Sequence, residues 1–256
     1  MLGAIAGDII GSVYEYRPLK NKSFPLFCEE SRFTDDTVLT IAVASAILNA
    51  EDYGAAIARF AERHPHADYG GFFQQWLHSP SKAPYNSWGN GSAMRVSSVG
   101  FAFNSVDEVL DEARKTAEVT HDHPEGIKGA QATALAVYLA RSGTSKGEIK
   151  GEIHERFAYD LSRKLDEIRP TYSFDESCQG TVPEAIIAFL ESDSFEDAIR
   201  NAVSLGGDSD TLACIAGGIA QAFYKEIPCE IETAVRARLP MEFIQVLDLF
   251  QSTFNL

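Results

Sequence analysis

Cysteine is scarce in this chain. Four residues in 256 (Cys28, Cys178, Cys214, Cys229) are scattered, with no CxxC pair. That usage excludes a disulfide scaffold and leads to the expectation of a reduced, cytoplasmic protein, with Cys214 a core residue inside an apolar run. Positive charge is also in short supply: 22 Lys and Arg stand against 37 Asp and Glu, a formal net charge of −15. Such a chain repels phosphate backbones, which excludes general nucleic-acid binding. A small phosphate-containing ligand is not excluded, because a local basic or metal site overrides the average field. No apolar run approaches the ~18 residues of a membrane span. The apolar start MLGAIAGDIIGSVYEY contains Ala4-Ile5-Ala6, which resembles a cleavage site. It has no basic segment and too short an apolar stretch before Asp8 for a secretory leader, so neither leader nor membrane segment is expected. Strand-like alternation is rare as well. The best run, SSVGFAF at 97–103, reads as helix or coil.

What remains is helical. Apolar spacing predicts helices at 37–50, 54–63, 70–78, 106–118, 128–142, 151–167, 183–191, 195–205, 211–224 and 241–252. Pro183 suits a first helical turn and Gly143 a helix end. The segments 37–50 and 211–224 are rich in Ala and Gly, so neighbouring helices can approach closely. With 45% hydrophobic and 23% charged residues, the composition is that of a globular domain with a sizeable core. No linker or change of composition divides the chain, and the expectation is an all-α fold in one domain, 1–256, with a monomer as the default. Residues 79–92 (SPSKAPYNSWGNGS) form the clearest long loop. Its aromatics Tyr85 and Trp88 suit a binding loop, or Trp88 anchors the loop to the core.

Two acid-rich stretches stand out. Thr34-Asp35-Asp36-Thr37 precedes one apolar helix, and Asp208-Ser209-Asp210-Thr211 precedes another, after Gly206-Gly207. Helix capping explains one oxygen per helix, or two with help from the helix dipole. It does not explain two carboxylates within three positions at both sites. Crowded carboxylates repel until a proton or a cation neutralises them. Carboxylates and threonine hydroxyls are hard oxygen donors, suited to Mg²⁺, Mn²⁺ or Ca²⁺ rather than Zn²⁺. If both stretches face one pocket, four carboxylates neutralise two divalent ions. No EF-hand spacing is present. A third acidic group lies in Gly7-Asp8-Ile9-Ile10-Gly11-Ser12-Val13-Tyr14-Glu15. Asp8 reads either as a site acid or as a buried group paired with the backbone; Glu15 is the stronger pocket candidate. His121 and His123 flank a helix start, with no cysteine or third histidine beside them to complete a zinc site. A helix beginning near Gly126 would offer free amides to an anion.

In this order along the chain, the motifs GAIAGDIIGSVYE (3–15), FTDDTVLTIAVASAIL (33–48), SWGNGSAMRVSSVG (87–100), VTHDHPEGIKGAQATALAVYLA (119–140), TVPEAIIAFL (181–190) and LGGDSDTLACIAGGIAQAFY (205–224) resemble the ADP-ribosylglycohydrolase family. The resemblance implies an all-α orthogonal bundle with two Mg²⁺ or Mn²⁺ ions in a central cleft. It puts Thr34, Asp35 and Asp36 on the first metal-ligand motif and Asp208, Asp210 and Thr211 on the second. Glu15 matches an acidic residue near the substrate ribose; with Asp35 and Asp208 it makes up the catalytic set. The loop Ser87-Trp88-Gly89-Asn90-Gly91-Ser92-Ala93-Met94-Arg95 resembles the ADP-ribose loop, with Trp88 able to stack on adenine. His121 matches a histidine near the diphosphate.

The implied activity is metal-assisted hydrolysis of the glycosidic bond between ADP-ribose and an acceptor, such as an arginine side chain or a small conjugate. The chain also departs from relatives. Some arginine-specific members carry an acidic residue where this loop has Asn86-Ser87-Trp88, and some have an aromatic where position 82 is lysine. Two rival readings use the same residues: a nucleotide-binding module without turnover, and a metal-dependent hydrolase of another glycosyl or phosphate ester.

Overall fold

The computed structural model describes residues 1–256, and all of its regular elements are helices. In chain order they are α1 (Leu2–Gly11), α2 (Asp35–Asn49), α3 (Tyr53–Arg63), α4 (Gly71–His78), α5 (Gly91–Met94), α6 (Ser97–Ala102), α7 (Val106–Glu118) and α8 (Pro124–Arg141). They continue with α9 (Lys146–Phe157), α10 (Leu165–Ile168), α11 (Cys178–Leu190), α12 (Phe195–Val203), α13 (Ser209–Tyr224), α14 (Cys229–Arg236) and α15 (Met241–Phe254). β pairing is limited to an isolated bridge between Gly89 and Ser177. No helix is long and apolar enough to cross a membrane.

The helix that organises the others is one that periodicity did not mark. All ten residues of α1 are buried. A helix buried all round, apolar here but for Asp8, has no face to detect in a sequence; it belongs in the middle of a core. Gly3, Gly7 and Gly11, four apart, share one face of α1. That face lies directly on the backbone of α13. A Cβ added at Gly7 would come within 2.0 Å of the Ala213 carbonyl oxygen, and one at Gly11 within 2.5 Å of the Asp210 Cα. Gly217 on α13 returns the contact, 2.2 Å from the Gly3 carbonyl oxygen to its would-be Cβ. Each glycine costs about 1 kcal/mol of helix propensity against alanine, which the close approach must outweigh.

This crossing sets the positions of the two acid-rich helix starts. α1 carries Asp8 beneath the first turn of α2. The Asp8 carboxylate accepts from the Thr34 amide (3.0 Å), the Thr34 hydroxyl (2.8 Å), the Thr37 amide (3.1 Å) and the Thr37 hydroxyl. Of the two readings for Asp8, the second holds: it is buried and paired. At the other start, Gly206 and Gly207 adopt φ of +72° and +75°, a left-handed pair that turns the chain sharply into α13.

The long loop is fastened on both sides. Cys178 N donates to the Trp88 carbonyl (2.9 Å) and Asn90 N to the Glu176 carbonyl (2.7 Å), which ties it to α11. Tyr85 N donates to the Thr120 carbonyl (3.4 Å) and Asn86 N to the Asp122 carboxylate (2.7 Å), which ties it to the segment before α8.

Elsewhere the expectations need adjustment. The run 97–103 is helical, as α6. The helix expected at 151–167 is instead α9, started by a Ser145–Glu148 capping box and ended by Ala158 at φ +54°, with α10 separate. Pro183 is not in a first turn: α11 begins at Cys178 with Ser177 accepting from Gly180 N, and the proline sits inside it. α8 begins four residues earlier than expected, at Pro124, capped by His123. Gly143 does follow the end of α8, at φ +84°.

Two glycine substitutions separate packing from propensity. Gly7→Ala forces α1 away from α13 and lowers stability by about 1–3 kcal/mol or more, a fall of several degrees in the melting midpoint. Gly147→Ala, on the open face of α9 with nothing within 4 Å of the new methyl group, gains about 0.4–1 kcal/mol. Thermal denaturation of both variants against the parent chain checks the pair; a neutral Gly7→Ala would mean the α1–α13 contact is not rigid.

Candidate metal centre and ligand cleft

The two acid-rich helix starts meet. The Thr211 hydroxyl of α13 donates to Asp36 Oδ2 of α2 across 3.2 Å. Carboxylate oxygens of Glu15, Asp208 and Asp210 all lie within 4.8 Å of one another. Glu15 reaches this point because the chain turns immediately after α1; Asp208 and Asp210 are buried, and Glu15 is partly exposed.

Capping does not account for these acids. At α2 the cap is Thr34, whose hydroxyl accepts from Asp36 N (3.4 Å) while donating to Asp8. At α13 the cap position belongs to Asp208, whose Oδ2 accepts from the Asn90 side-chain amide at 2.6 Å. That leaves Asp36 Oδ1 and Asp210 Oδ1, both buried without a hydrogen-bond partner. A buried unpaired carboxylate oxygen costs several kcal/mol unless something neutralises it. Arg32, near the rim, is already paired with Asp68.

The electrostatics agree with the geometry. Burial first, and the charge of Asp8 or Asp208 next, push the carboxyls of Asp35, Asp36 and Asp210 well above the usual carboxylate range. Burial raises Asp208 and Glu15 in the same direction. A set of oxygen-only donors that resists ionisation, with two orphaned oxygens, fits one or more hard divalent cations.

The loop begins at this cluster and runs outward. Asn90 touches both Asp208 and, at 3.0 Å, the Thr181 hydroxyl of α11. Met94 lies behind it, its Sδ 4.0 Å from the Thr211 hydroxyl. Gly89 and Gly91 flank Asn90, and the imidazole of His121 rests against both: Nε2 would be 3.5 Å and 3.1 Å from a Cβ at these two positions. Further out, Trp88 is 55% exposed, so it does not anchor the loop in the core; its indole stands edge-on to His123 at 5.9 Å between centroids. The Tyr85 ring lies 6.0 Å from that of His121 and stacks on exposed Phe72. Ser87 is partly exposed, its hydroxyl accepting from Gly89 N (3.1 Å).

One expected ligand contact needs correction. Ser92 is fully buried and its hydroxyl donates to the Gly126 carbonyl at 2.7 Å, so it clasps the loop to α8 and does not face the cleft. The two histidines do not form a metal pair. His121 Nδ1 is engaged by the Thr120 hydroxyl (2.7 Å), and His123 Nδ1 caps α8 by accepting from Glu125 N (3.1 Å). Asn90, expected in the substrate loop, also holds Asp208. Thr181 of α11, which contacts Asn90, is a contributor that the sequence does not single out. Arg95, at the end of the same expected loop, is fully buried and lies away from solvent.

Comparison with known proteins gives a concordant picture. A family model described as ADP-ribosylglycohydrolase matches residues 1–252. The ADP-ribosylhydrolase ARH3 of Bos taurus is 30% identical, the alignment covering 88% of this chain and 83% of that one. ARH3 of Mus musculus is 29% identical over 88% and 82%. The ADP-ribosylarginine hydrolase Tri1 of Pseudomonas putida is 25% identical over 88% and 69%. A solved structure titled ADP-ribosylglycohydrolase-related protein complex superposes with a TM-score of 0.73 at 24% identity, covering 98% of this chain and 96% of that one, which shows the shared fold. With a matching family model over nearly the whole chain, a matching fold and a cluster of acids at the two helix starts, the chain belongs to the ADP-ribosylglycohydrolase family.

Proposed function

We propose that this protein hydrolyses the glycosidic bond joining ADP-ribose to an acceptor, as a single domain whose cleft holds two Mg²⁺ or Mn²⁺ ions. The observation that carries the reading is the meeting of Asp36 with Thr211 beside the Glu15–Asp208–Asp210 oxygens, with two buried carboxylate oxygens left unpartnered. Thr34, Asp35, Asp36, Asp208, Asp210 and Thr211 are the proposed metal ligands. When bound, such ions supply Lewis-acid polarisation and make a water more acidic. The relatives named ADP-ribosylhydrolase and ADP-ribosylarginine hydrolase support an ADP-ribose-containing substrate. Whether the acceptor is an arginine side chain, another protein group or a small conjugate is a matter for a substrate panel.

The chain's own residues divide the work. Asp8 fixes the first turn of α2 through Thr34 and Thr37, which sets the line of Asp35 and Asp36. Asn90 holds the Asp208 carboxylate from the loop side. Glu15, partly exposed and with a raised pKa, sits where it can accept a proton from an attacking water or orient that water. An oxocarbenium-like transition state gains from the surrounding carboxylates. Gly89 and Gly91 let the backbone approach a diphosphate, and Trp88 offers an exposed ring for a base.

Asp208→Asn and Asp210→Asn should each lower release of ADP-ribose by about a hundredfold or more, with helicity by circular dichroism retained. Wild-type turnover in either variant, or in excess EDTA, would overturn the metal role. ADP-ribose bound tightly with no release from any of the panel would favour a binding module instead.

Trp88→Ala should raise KM about tenfold, on the scale of one lost base–aromatic stack, with kcat close to the parent value. Steady-state kinetics on the preferred substrate separates the two constants.

The raised carboxyls also give a sign to the metal effect. They bind protons more tightly in the folded than in the unfolded chain. The metal-free protein therefore gains stability as pH falls through their folded values, and loses it as pH rises. Mg²⁺ added to EDTA-treated protein should raise the melting midpoint more at about pH 8 than at about pH 5.5. Scanning calorimetry at both pH values checks this; a larger shift at the lower pH would contradict it.

A further inference from the structure

Arg95 is the largest fully buried side chain in the molecule, and no carboxylate pairs with it. Its Nη2 donates to the Thr116 carbonyl (2.6 Å) and the Thr120 hydroxyl (2.9 Å), while Nε and Nη1 have no acceptor. Burial lowers its pKa to about 10, which still leaves it charged at neutral pH. A buried guanidinium without a counter-charge is a cost to stability, so its presence calls for another reason.

The reason follows from the hydrogen-bond chain. A guanidinium only donates, so the Thr120 hydroxyl accepts from Arg95. Thr120 is fully buried; its hydroxyl lies 2.7 Å from His121 Nδ1, with the Tyr85 hydroxyl as a further neighbour. If Nδ1 carried a hydrogen, the threonine's own hydrogen would have only the Tyr85 phenol oxygen to turn to, a weaker acceptor than an imidazole nitrogen. With Nδ1 as acceptor, the Thr116 carbonyl, the Thr120 hydroxyl and His121 Nδ1 are all satisfied and the imidazole hydrogen sits on Nε2. Burial, then the charge of Arg95, hold the His121 pKa well below its ordinary value, so the ring is neutral. Nε2 has no protein partner and borders the backbone of Gly89 and Gly91.

We propose that Arg95 and Thr120 are positioning residues that fix His121 as its Nε2–H tautomer and present that N–H at the Gly89–Gly91 turn to a phosphate oxygen of the ligand. The donor is then oriented before the ligand arrives, and it adds no ionic charge of its own beside the carboxylate cluster. The choice of phosphate oxygen rests on the proposed reading of this loop; the tautomer does not.

The test uses the full-length protein labelled with ¹⁵N-histidine, with the His121 resonances assigned by their loss in His121→Asn. Long-range ¹H–¹⁵N spectra at neutral pH should show a pyridine-type Nδ1 and a protonated Nε2. Thr120→Val, close in shape but without the hydroxyl, should shift His121 to a tautomer mixture or to Nδ1–H, and Thr120→Ser should restore it. In calorimetric titrations with ADP-ribose in Mg²⁺ buffer, Thr120→Val should weaken binding about tenfold, equivalent to about 1.4 kcal/mol, and Thr120→Ser by less. An Nδ1–H or imidazolium His121 in the parent chain, or an unchanged pattern in folded Thr120→Val, overturns the relay whether or not ADP-ribose binds. A parent chain with the expected tautomer that does not bind ADP-ribose overturns the phosphate assignment and the reading of the loop, and leaves the relay standing.

Discussion

The contact of α1 on α13 is the constraint from which the site follows. Two helices whose backbones touch cannot slide or rotate without collision, because Gly3, Gly7 and Gly11 leave no side-chain layer between them. One end of that contact delivers Asp8 to the start of α2, and Gly11 lies directly on Asp210 at the start of α13. The separation of the two acid-rich turns is therefore set by backbone packing and not by the acids themselves, which repel. That stiff scaffold brings Asp36 of α2 to the start of α13, where Asp208 and Asp210 stand beside Glu15.

The same stiffness explains the division of labour among polar residues that look alike in sequence. Asp8 and Asp36 are both buried aspartates near the start of α2. Asp8 accepts four hydrogen bonds and is fully occupied; Asp36 keeps one oxygen bare. The first builds the site and the second is available to a ligand. Ser92 and Asn90 differ in a similar way: two positions apart in one loop, one is committed to the backbone of α8 and the other to a carboxylate of the centre.

Much of this could be read from residue types alone. The excess of carboxylates over what capping needs pointed to a shared centre at Thr34–Asp36 and Asp208–Thr211, and Asp36 and Thr211 are in contact. The all-α class and most of the longer helices followed from periodicity. What sequence could not supply was of two kinds. α1, buried on every side and apolar but for Asp8, had no period to detect, and α5 and α10 are too short for one; α14, as long as α4, went unmarked. Hydrogen-bond direction was equally hidden: that Asp8 faces Thr34 and Thr37, that Ser92 turns inward, and that Arg95 lies beneath His121 depends on where helices cross. Local spacing contains no record of that.

The placement of the two tryptophans has a practical consequence. Trp76 is 3% exposed and donates its indole N–H to the Lys82 carbonyl at 2.9 Å, whereas Trp88 stands in solvent at the outer end of the loop. The native emission spectrum is thus a sum of one shielded and one hydrated fluorophore. Quenching by iodide would silence the hydrated one selectively, giving an unlabelled optical gauge of whatever settles on that end of the cleft.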